Sequence, residues 1–346
     1  MLYRLYRARA RAAEALTALN KYSPANRALI GEMYFAKAFA EMQLAQDFCN
    51  GIPLSDVIDG VPMPGEGKSV AQVLTAATAS YDSAIAFANG TDAASVRINR
   101  AARIGKARAL LGLNQYDAGA ALVAGIPTTY SYQNTLTLTT GSNTIWSQGL
   151  SAGRYVVSDS LEGNARNIPV KNALPFVSAN DPRLPVTVLN SNGQDGLTRV
   201  RRTTLYGQLT FMDVVNGIDA RMVEAEAALK AGNVTGWLAI LNALRAAPPK
   251  LGEIQPAVMA PLVAPATEAA RINLHFREKA FWTFSRGQRL SDMRRLVRQY
   301  GRAVTDVFPE GIHYKGGIYG VDVNFPIVTD EVGNNSKFNG CIDRKA

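Results

Sequence analysis

Residues 272–282 read INLHFREKAFW and residues 287–295 read GQRLSDMRR, and these two segments are the most informative in the chain. Both set apolar residues at helical spacing among arginines, which predicts two amphipathic helices. A short apolar stretch that contains a proline, VNFPI at 323–327, follows them. No metal, phosphate or nucleophile motif accompanies this order of elements. We therefore expect a binding scaffold before an enzyme.

Helical periodicity also dominates the first third of the chain. Five helices are predicted, each bounded by turn or capping residues: 2–19, 26–49, one that begins after the N-cap Ser69, about 93–112 and about 116–123. The last two form a helix–turn–helix pair, because small residues lie where two helices would touch in ARALLGLNQYDAGA at 107–120. A second, degenerate copy lies at 225–242. Paired helices of this kind are typical of tetratricopeptide repeats, so the predicted fold is mainly α.

A segment of different composition, 126–212, interrupts the helices. It is rich in Asn, Gly, Ser and Pro, and short strands are predicted within it at 135–139, 155–157 and 186–189. We expect one domain over 1–346. Its helical frame would comprise 1–125 and 213–300, and the insertion would comprise 126–212. The remaining residues, 301–346, would form a carboxy-terminal loop with a strand near 323–328. Loops displayed on a rigid frame are where recognition usually occurs.

The charge balance favours neither nucleic acid nor a membrane surface. The net charge is +9, but the basic residues are scattered, and the arginines of 277–295 alternate with apolar residues and with Glu278 and Asp292. Such neighbours favour arginine stems that pack on aromatic rings and heads that pair with carboxylates inside the protein. We therefore predict that the chain binds no nucleic acid. No apolar run is long enough to span a bilayer.

The sequence offers no catalytic or metal-binding constellation. With two histidines and two cysteines in 346 residues, a zinc site of the usual composition is excluded. Gly67-Lys68-Ser69 ends like a phosphate-binding loop, but Pro62 stands where that motif needs glycine. We predict no catalytic residue, no metal and no cofactor. Cys49 and Cys341 either form a disulfide, which the loop-entropy model values at roughly 5 kcal/mol, or are two unrelated buried thiols.

Aromatic side chains in and beside the insertion are the candidate binding residues. Flat rings on loops stack against the apolar C–H faces of sugars, while neighbouring polar groups bind the hydroxyls. For each ring the alternative is that it only fastens the loops together. The predicted ligand-binding residues are Trp146, Tyr130, Tyr132, Tyr155 and Tyr206.

Taken in order, these segments resemble the SusD/RagB family of nutrient-binding outer-membrane lipoproteins. The resemblance rests on seven collinear stretches that span most of the chain. They are EMYFAKAFA at 32–40 with GIPL at 51–54, YDSAI at 81–85, KARALL at 106–111, DPR at 181–183, EAEA at 224–227 with LNALR at 241–245, REKAF at 277–281 with RLSDMRR at 289–295, and FPI at 325–327 with Glu331 and Asn334-Asn335.

The resemblance implies a non-enzymatic protein on the cell-surface side of the outer membrane. Such a protein would capture a glycan or another oligomeric nutrient and deliver it to a TonB-dependent, SusC-like transporter. The chain is short for the family and has neither a signal peptide nor a lipid-bearing cysteine at its start, so we expect an amino-terminal truncation or an incomplete gene model. The alternatives are a tetratricopeptide-like scaffold that binds a protein partner and, third, a glycoside hydrolase.

Overall fold

The computed structural model describes residues 1–58, 61–161, 168–313 and 315–346. The described chain is mainly helical and carries only short strands, as the sequence predicted. It divides into two compact units, each assembled from separated segments. The first unit comprises Met1–Tyr132, Val215–Lys230 and Asp322–Ala346, and the second comprises Gln133–Val214 and Ala231–Val321. The single-domain boundaries expected above remain a prediction.

Six long or medium helices form the first unit, and each packs against the next along the chain. The small residues of α2 allow close approach to α3, since a Cβ on Gly31 would lie 3.0 Å from the carbonyl oxygen of Ala84. The Tyr81 ring is fully buried in this stack. The helices are α1 (Leu2–Tyr22), α2 (Arg27–Asp47), α3 (Val70–Phe87), α4 (Ala93–Gly112), α5 (Tyr116–Val123) and α6 (Gly217–Lys230).

Local capping chemistry explains why these helices begin where the sequence predicted. Ser69 accepts a hydrogen bond from the amide of Gln72 at 3.2 Å, and the Gln72 side chain accepts one from the Ser69 amide at 2.8 Å. This reciprocal pair is a capping box, so the Gly-Lys-Ser sequence serves a helix start. Asp92 caps α4 in the same manner, with its carboxylate 3.0 Å from the Ser95 amide.

In the part of the chain that the structure describes, the second unit contains three α-helices and most of the loop-rich insertion. Trp237 on α7 and Trp282 on α8 are almost completely buried, as their helical spacing indicated. The long segment between α7 and α8 has no regular element of its own. The helices are α7 (Val234–Ala246), α8 (Glu268–Trp282) and α9 (Arg289–Tyr300), and a short α10 (Thr329–Asn334) follows in the first unit.

All described strands form two-stranded sheets. The pairs are β1 (Ile52–Pro53) with β4 (Gly67–Lys68), β2 (Asp56–Ile58) with β3 (Val61–Met63), β5 (Ser131–Asn134) with β8 (Met212–Asn216), and β6 (Val186–Asn192) with β7 (Arg199–Thr203). The β6–β7 hairpin is antiparallel, and its register shifts between Val188 and Asn192. These sheets are too small to form a core, so they serve to shape the loops.

Three predicted strands differ from the structure. Residues 135–139 form no strand, because the Thr137 hydroxyl accepts a hydrogen bond from the Thr140 amide at 3.0 Å and closes a local turn. Residues 155–157 also form no strand: the Val157 amide donates to the Arg201 carbonyl at 2.9 Å, whereas the Tyr155 amide donates to the Gln148 carbonyl at 3.2 Å. Near 323–328 there is a single bridge between Phe325 and Phe48.

Cys49 and Cys341 are joined by a disulfide in the first unit. Their Cα atoms lie 6.0 Å apart, and 292 positions separate them in the sequence. The sequence left this pairing open. The bond ties the end of α2 to the carboxy-terminal segment, where the Ile342 amide also donates to the Asn50 carbonyl at 2.8 Å.

Candidate ligand-binding site

The second unit holds an apolar cavity of about 280 Å³ that three of the predicted ligand-binding rings line together. Trp146, Tyr155 and Tyr206 come from separate parts of the insertion, and Phe284 comes from the loop after α8. The remaining lining residues are Ile145, Gly149, Val156, Val157, Arg201, Arg202, Thr203 and Ser285. A few polar groups among aromatic and aliphatic walls is the usual composition of a small-ligand site.

Asn143 positions the Trp146 backbone. Its side-chain oxygen accepts hydrogen bonds from the amides of Ile145 at 2.9 Å and Trp146 at 3.2 Å, while its side-chain nitrogen donates to the Thr210 carbonyl at 3.0 Å. Asn143 is buried, so these bonds replace water contacts that it has lost. Trp146 then begins a π-helical turn, Trp146–Ser151, a geometry that is often found at functional sites.

The two tyrosines of the cavity differ in exposure. The Tyr155 side chain is 70% exposed, whereas Tyr206 is buried. Burial raises the pKa of the Tyr206 hydroxyl, the positive charge of Arg286 opposes that shift, and Asp213 adds to it. A large ring that is left largely in water on the rim of an apolar cavity is available to cover a ligand.

Ring packing and an unusual backbone hold the fourth wall. The Phe284 ring meets the Phe176 ring edge-on, with centroids 5.0 Å apart, and Phe176 meets Phe281 on α8 at the same distance. The next residue, Ser285, has a φ of 59°. A non-glycine residue in this left-handed region is uncommon and is often found at a ligand site.

A buried ion-pair network fixes the end of α8 from which Phe284 extends. Glu278 is fully buried and accepts hydrogen bonds from Arg183 at 2.7 Å and from Arg245 at 3.0 Å. The Arg183 guanidinium also pairs with Asp181 at 2.6 Å and lies 4.8 Å from the Trp282 ring centroid. Arg183 and Arg245 lie outside the 277–295 segment for which buried pairing was predicted; within that segment, Arg295 lies 3.6 Å from the buried Asp292.

Two further cavities share lining residues with this one. A cavity of about 370 Å³ shares Val157 and Arg201 with it and is also lined by Asp159, Asn172 and Arg289. A cavity of about 470 Å³ shares Tyr155 and Val156 with it, and its other lining residues are Gly153, Arg154, Gly193, Gln194, Asp195, Thr198 and Lys315. These shared residues make the three cavities one continuous surface, which we call the binding groove.

The carboxylates of the binding groove are already engaged. Asp195 accepts from Lys315 at 2.8 Å and from the Thr198 hydroxyl at 2.6 Å, and these partners hold its pKa far below the usual range. Asp159 accepts from the Ser178 hydroxyl at 2.9 Å. The described lining of the apolar cavity contains no Asp, Glu or His.

Tyr130 and Tyr132 do not line the described part of the binding groove and belong to the first unit. The Tyr130 hydroxyl donates to the Arg97 carbonyl at 2.5 Å, and the Tyr132 hydroxyl donates to the Glu32 carboxylate at 2.7 Å. Burial raises the pKa of both hydroxyls. These two rings fasten the chain to α2 and α4, which is the alternative that the sequence had left open.

No group of acidic, histidine or cysteine side chains in the described ranges is arranged to hold a metal ion. None of the described helices combines the length and the apolar character that a membrane span requires. His275, one of the two histidines, is fully buried and accepts a hydrogen bond from the Trp237 indole at 3.3 Å, so it is part of the core.

Paired helices with a loop-borne cavity define a tetratricopeptide-like helical protein. Among solved structures, this architecture is the SusD-like fold. A SusD-like carbohydrate binding protein from Bacteroides vulgatus is 11% identical, with 97% of this chain and 82% of that chain covered and a TM-score of 0.63. A surface glycan-binding protein from Bacteroides uniformis is 12% identical, with 98% and 84% covered and a TM-score of 0.61.

A third solved structure, a SusD/RagB family protein from Bacteroides thetaiotaomicron, is 11% identical, with 96% of this chain and 82% of that chain covered and a TM-score of 0.63. No protein-family model and no curated protein sequence matches the chain. The resemblance that the sequence indicated is thus confirmed by the fold, at identities where sequence comparison alone has little power.

Proposed function

We propose that this protein binds an oligosaccharide without cleaving it and that the binding groove is the site. The observation that carries the proposal is the convergence of Trp146, Tyr155 and Tyr206 on one cavity of a SusD-like fold. Rings at the wall and rim would stack on the apolar faces of a sugar unit. Arg201, Thr203 and Ser285 would offer hydrogen bonds to its hydroxyls.

The names of the structural neighbours agree with this proposal. Two of the proteins with this fold are described as carbohydrate-binding or glycan-binding. Binding without hydrolysis agrees with the described lining of the apolar cavity, since glycoside hydrolysis ordinarily needs two carboxyl groups that flank the scissile bond. The carboxylates of the other two cavities, Asp159 and Asp195, already have protein partners.

The wider role that we propose is nutrient uptake at the outer membrane. The bound oligomer would pass to a TonB-dependent, SusC-like transporter, and a lipid anchor would hold the protein at the cell surface. The Cys49–Cys341 disulfide supports a location outside the cytoplasm, since such bonds persist in oxidising compartments. Co-purification with the product of a neighbouring transporter gene tests this role, and a chain that never co-purifies with that transporter contradicts it.

Substitution of Trp146 tests the site. We expect Trp146→Ala to weaken oligosaccharide binding by about tenfold or more, because loss of a stacking ring costs about 1–3 kcal/mol in related stacking contacts. Isothermal titration calorimetry against a panel of hexasaccharides measures it, and circular dichroism verifies the fold.

The matched control is Tyr22→Ala, which removes an exposed ring of the first unit. Undiminished binding by Trp146→Ala would move the site away from this cavity. A panel with no sugar ligand would favour the tetratricopeptide-like scaffold for a protein partner, and release of reducing ends would favour a hydrolase.

A further inference from the structure

Two arginines, Arg202 and Arg289, stand out among the described lining residues of the binding groove. Arg202 lines the apolar cavity, and its Nε is buried without a hydrogen bond. Arg289 lines the 370 Å³ cavity. The side chains of Arg202 and Arg289 form no hydrogen bond or ion pair with a described residue. Elsewhere in the same unit, Arg183 and Arg245 bind buried carboxylates. Arg202 and Arg289 therefore differ from these two arginines.

A guanidinium nitrogen that is buried without a hydrogen bond, as Arg202 Nε is, has lost water contacts without replacement. Burial lowers the pKa of the Arg289 guanidinium, and the negative charge of Asp292 only opposes that shift. Asp292 itself is committed to Lys279, which is 2.6 Å away, and it lies 3.6 Å from Arg295. A negatively charged ligand oxygen would favour the charged form of the Arg289 guanidinium, which burial disfavours.

The charge of the whole groove points the same way. Among its described lining residues, the cations exceed the two carboxylates of Asp159 and Asp195. Lys315 neutralises Asp195 at 2.8 Å, so these two contribute no net charge. The cations are Arg154, Arg201, Arg202, Arg289 and Lys315.

We propose that the ligand is an acidic oligosaccharide, with anionic substituents bound by Arg202 and Arg289 and a sugar ring placed against Trp146. The inference rests on the proposed function and narrows its ligand class. Carboxylates of uronic acids and sulfate esters share the required chemistry, since both accept paired hydrogen bonds from one guanidinium. The hydroxyl oxygens of a neutral glycan can accept hydrogen bonds from both arginines, but they bring no charge to balance the excess of cations in the groove.

Calorimetry with the purified chain tests the ligand class. The probes are hexagalacturonate for carboxylates, a chondroitin sulfate hexasaccharide for sulfates, and maltohexaose and xylohexaose as neutral sugars. We expect one acidic probe to bind at least tenfold more tightly than either neutral one. Its affinity should fall as the salt concentration rises from about 50 to about 500 mM, because salt screens charge pairs. The better acidic probe distinguishes carboxylate from sulfate.

Arginine variants test the positions. Arg202→Gln and Arg289→Gln should each weaken acidic binding by about tenfold or more, because charge-assisted hydrogen bonds are lost. The matched control is Arg298→Gln, an exposed arginine on the same α9 that does not line the described groove. Arg289→Lys, which keeps the charge, should recover part of the affinity.

Each outcome decides between the two proposals. Tighter binding of a neutral probe, with Trp146→Ala weakened and both glutamine variants unchanged, overturns the acidic ligand and leaves oligosaccharide binding intact. A chain that binds none of the four probes overturns both. If a glutamine variant fails to fold, the probe preference and salt dependence of the unaltered chain still decide, because a neutral preference or salt-independent binding contradicts the inference.

Discussion

Substitution of Glu278 tests whether a buried charge network holds the wall of the binding groove. The Glu278 carboxylate is fully buried, and it accepts hydrogen bonds from Arg183 Nη1 at 2.7 Å, Arg183 Nη2 at 3.2 Å and Arg245 Nη1 at 3.0 Å. Glu278→Gln keeps the shape of the side chain but removes its charge. Its new amide nitrogen would also face guanidinium donors instead of accepting from them.

The expected cost follows from what remains beside Arg183. Removing one partner of a buried ion pair costs about 3–5 kcal/mol because the other charge stays desolvated. Arg183 is fully buried, but Asp181 still binds its Nη2 at 2.6 Å and its Nε at 2.8 Å. We therefore expect the low end of that range, a loss of about 3 kcal/mol in the free energy of unfolding.

Urea unfolding followed by tryptophan fluorescence measures this loss in the relevant unit. All three tryptophans, Trp146, Trp237 and Trp282, lie in the second unit, so the signal reports on that unit. The control is Glu310→Gln, which breaks the exposed pair with Lys171 and should cost less than about 1 kcal/mol. Equal losses for the two variants would show that the Glu278 network does not stabilise this unit.

Two further predictions concern the disulfide and acid stability. Cys341→Ser should lower the unfolding free energy of the first unit by up to about 5 kcal/mol, because the bond to Cys49 closes a loop of nearly the whole chain. Unfolding followed by far-UV circular dichroism, with and without reductant, measures this loss. A variant that reductant destabilises as much as it destabilises the unaltered protein would contradict the prediction. The folded pKa of Asp195 lies below its unfolded value of about 3.9, so its stabilisation is present above that pH and is lost as pH falls toward the folded pKa. Asp195→Asn should therefore be less stable at neutral pH and lose less stability from about pH 5 downward; parallel pH profiles for the two proteins would refute this.

Local signals explain how much of the helical frame could be predicted. Ser69 and Asp92 are capping residues directly before apolar periodic segments, and both caps form in the structure. The strand predicted at 135–139 was wrong because an alternation of period two is also compatible with a turn. Such a turn forms when threonine hydroxyls bind nearby amides, as Thr137 does. No described strand pairs with residues 135–139, and the sequence of the segment alone cannot show this.

The sequence could predict the kind of candidate site, aromatic rings on loops, but not all the residues that line it. Aromatic rings in a polar, loop-rich segment indicated Trp146, Tyr155 and Tyr206. Phe284 and Arg289 lie well over a hundred positions from Trp146, so only the folded chain brings them to one groove. Tyr130 and Tyr132 carry the same local signal as the groove rings, and long-range contacts alone separate the two sets.

The interleaved assembly of the two units has a consequence for protein engineering. The chain leaves the first unit after Tyr132, returns at Val215, leaves again after Lys230 and returns at Asp322. Neither unit is therefore a continuous stretch of coding sequence, and no pair of start and stop codons isolates one of them. To obtain the groove-bearing unit alone, Val214 must be spliced to Ala231 through a designed linker, in place of α6.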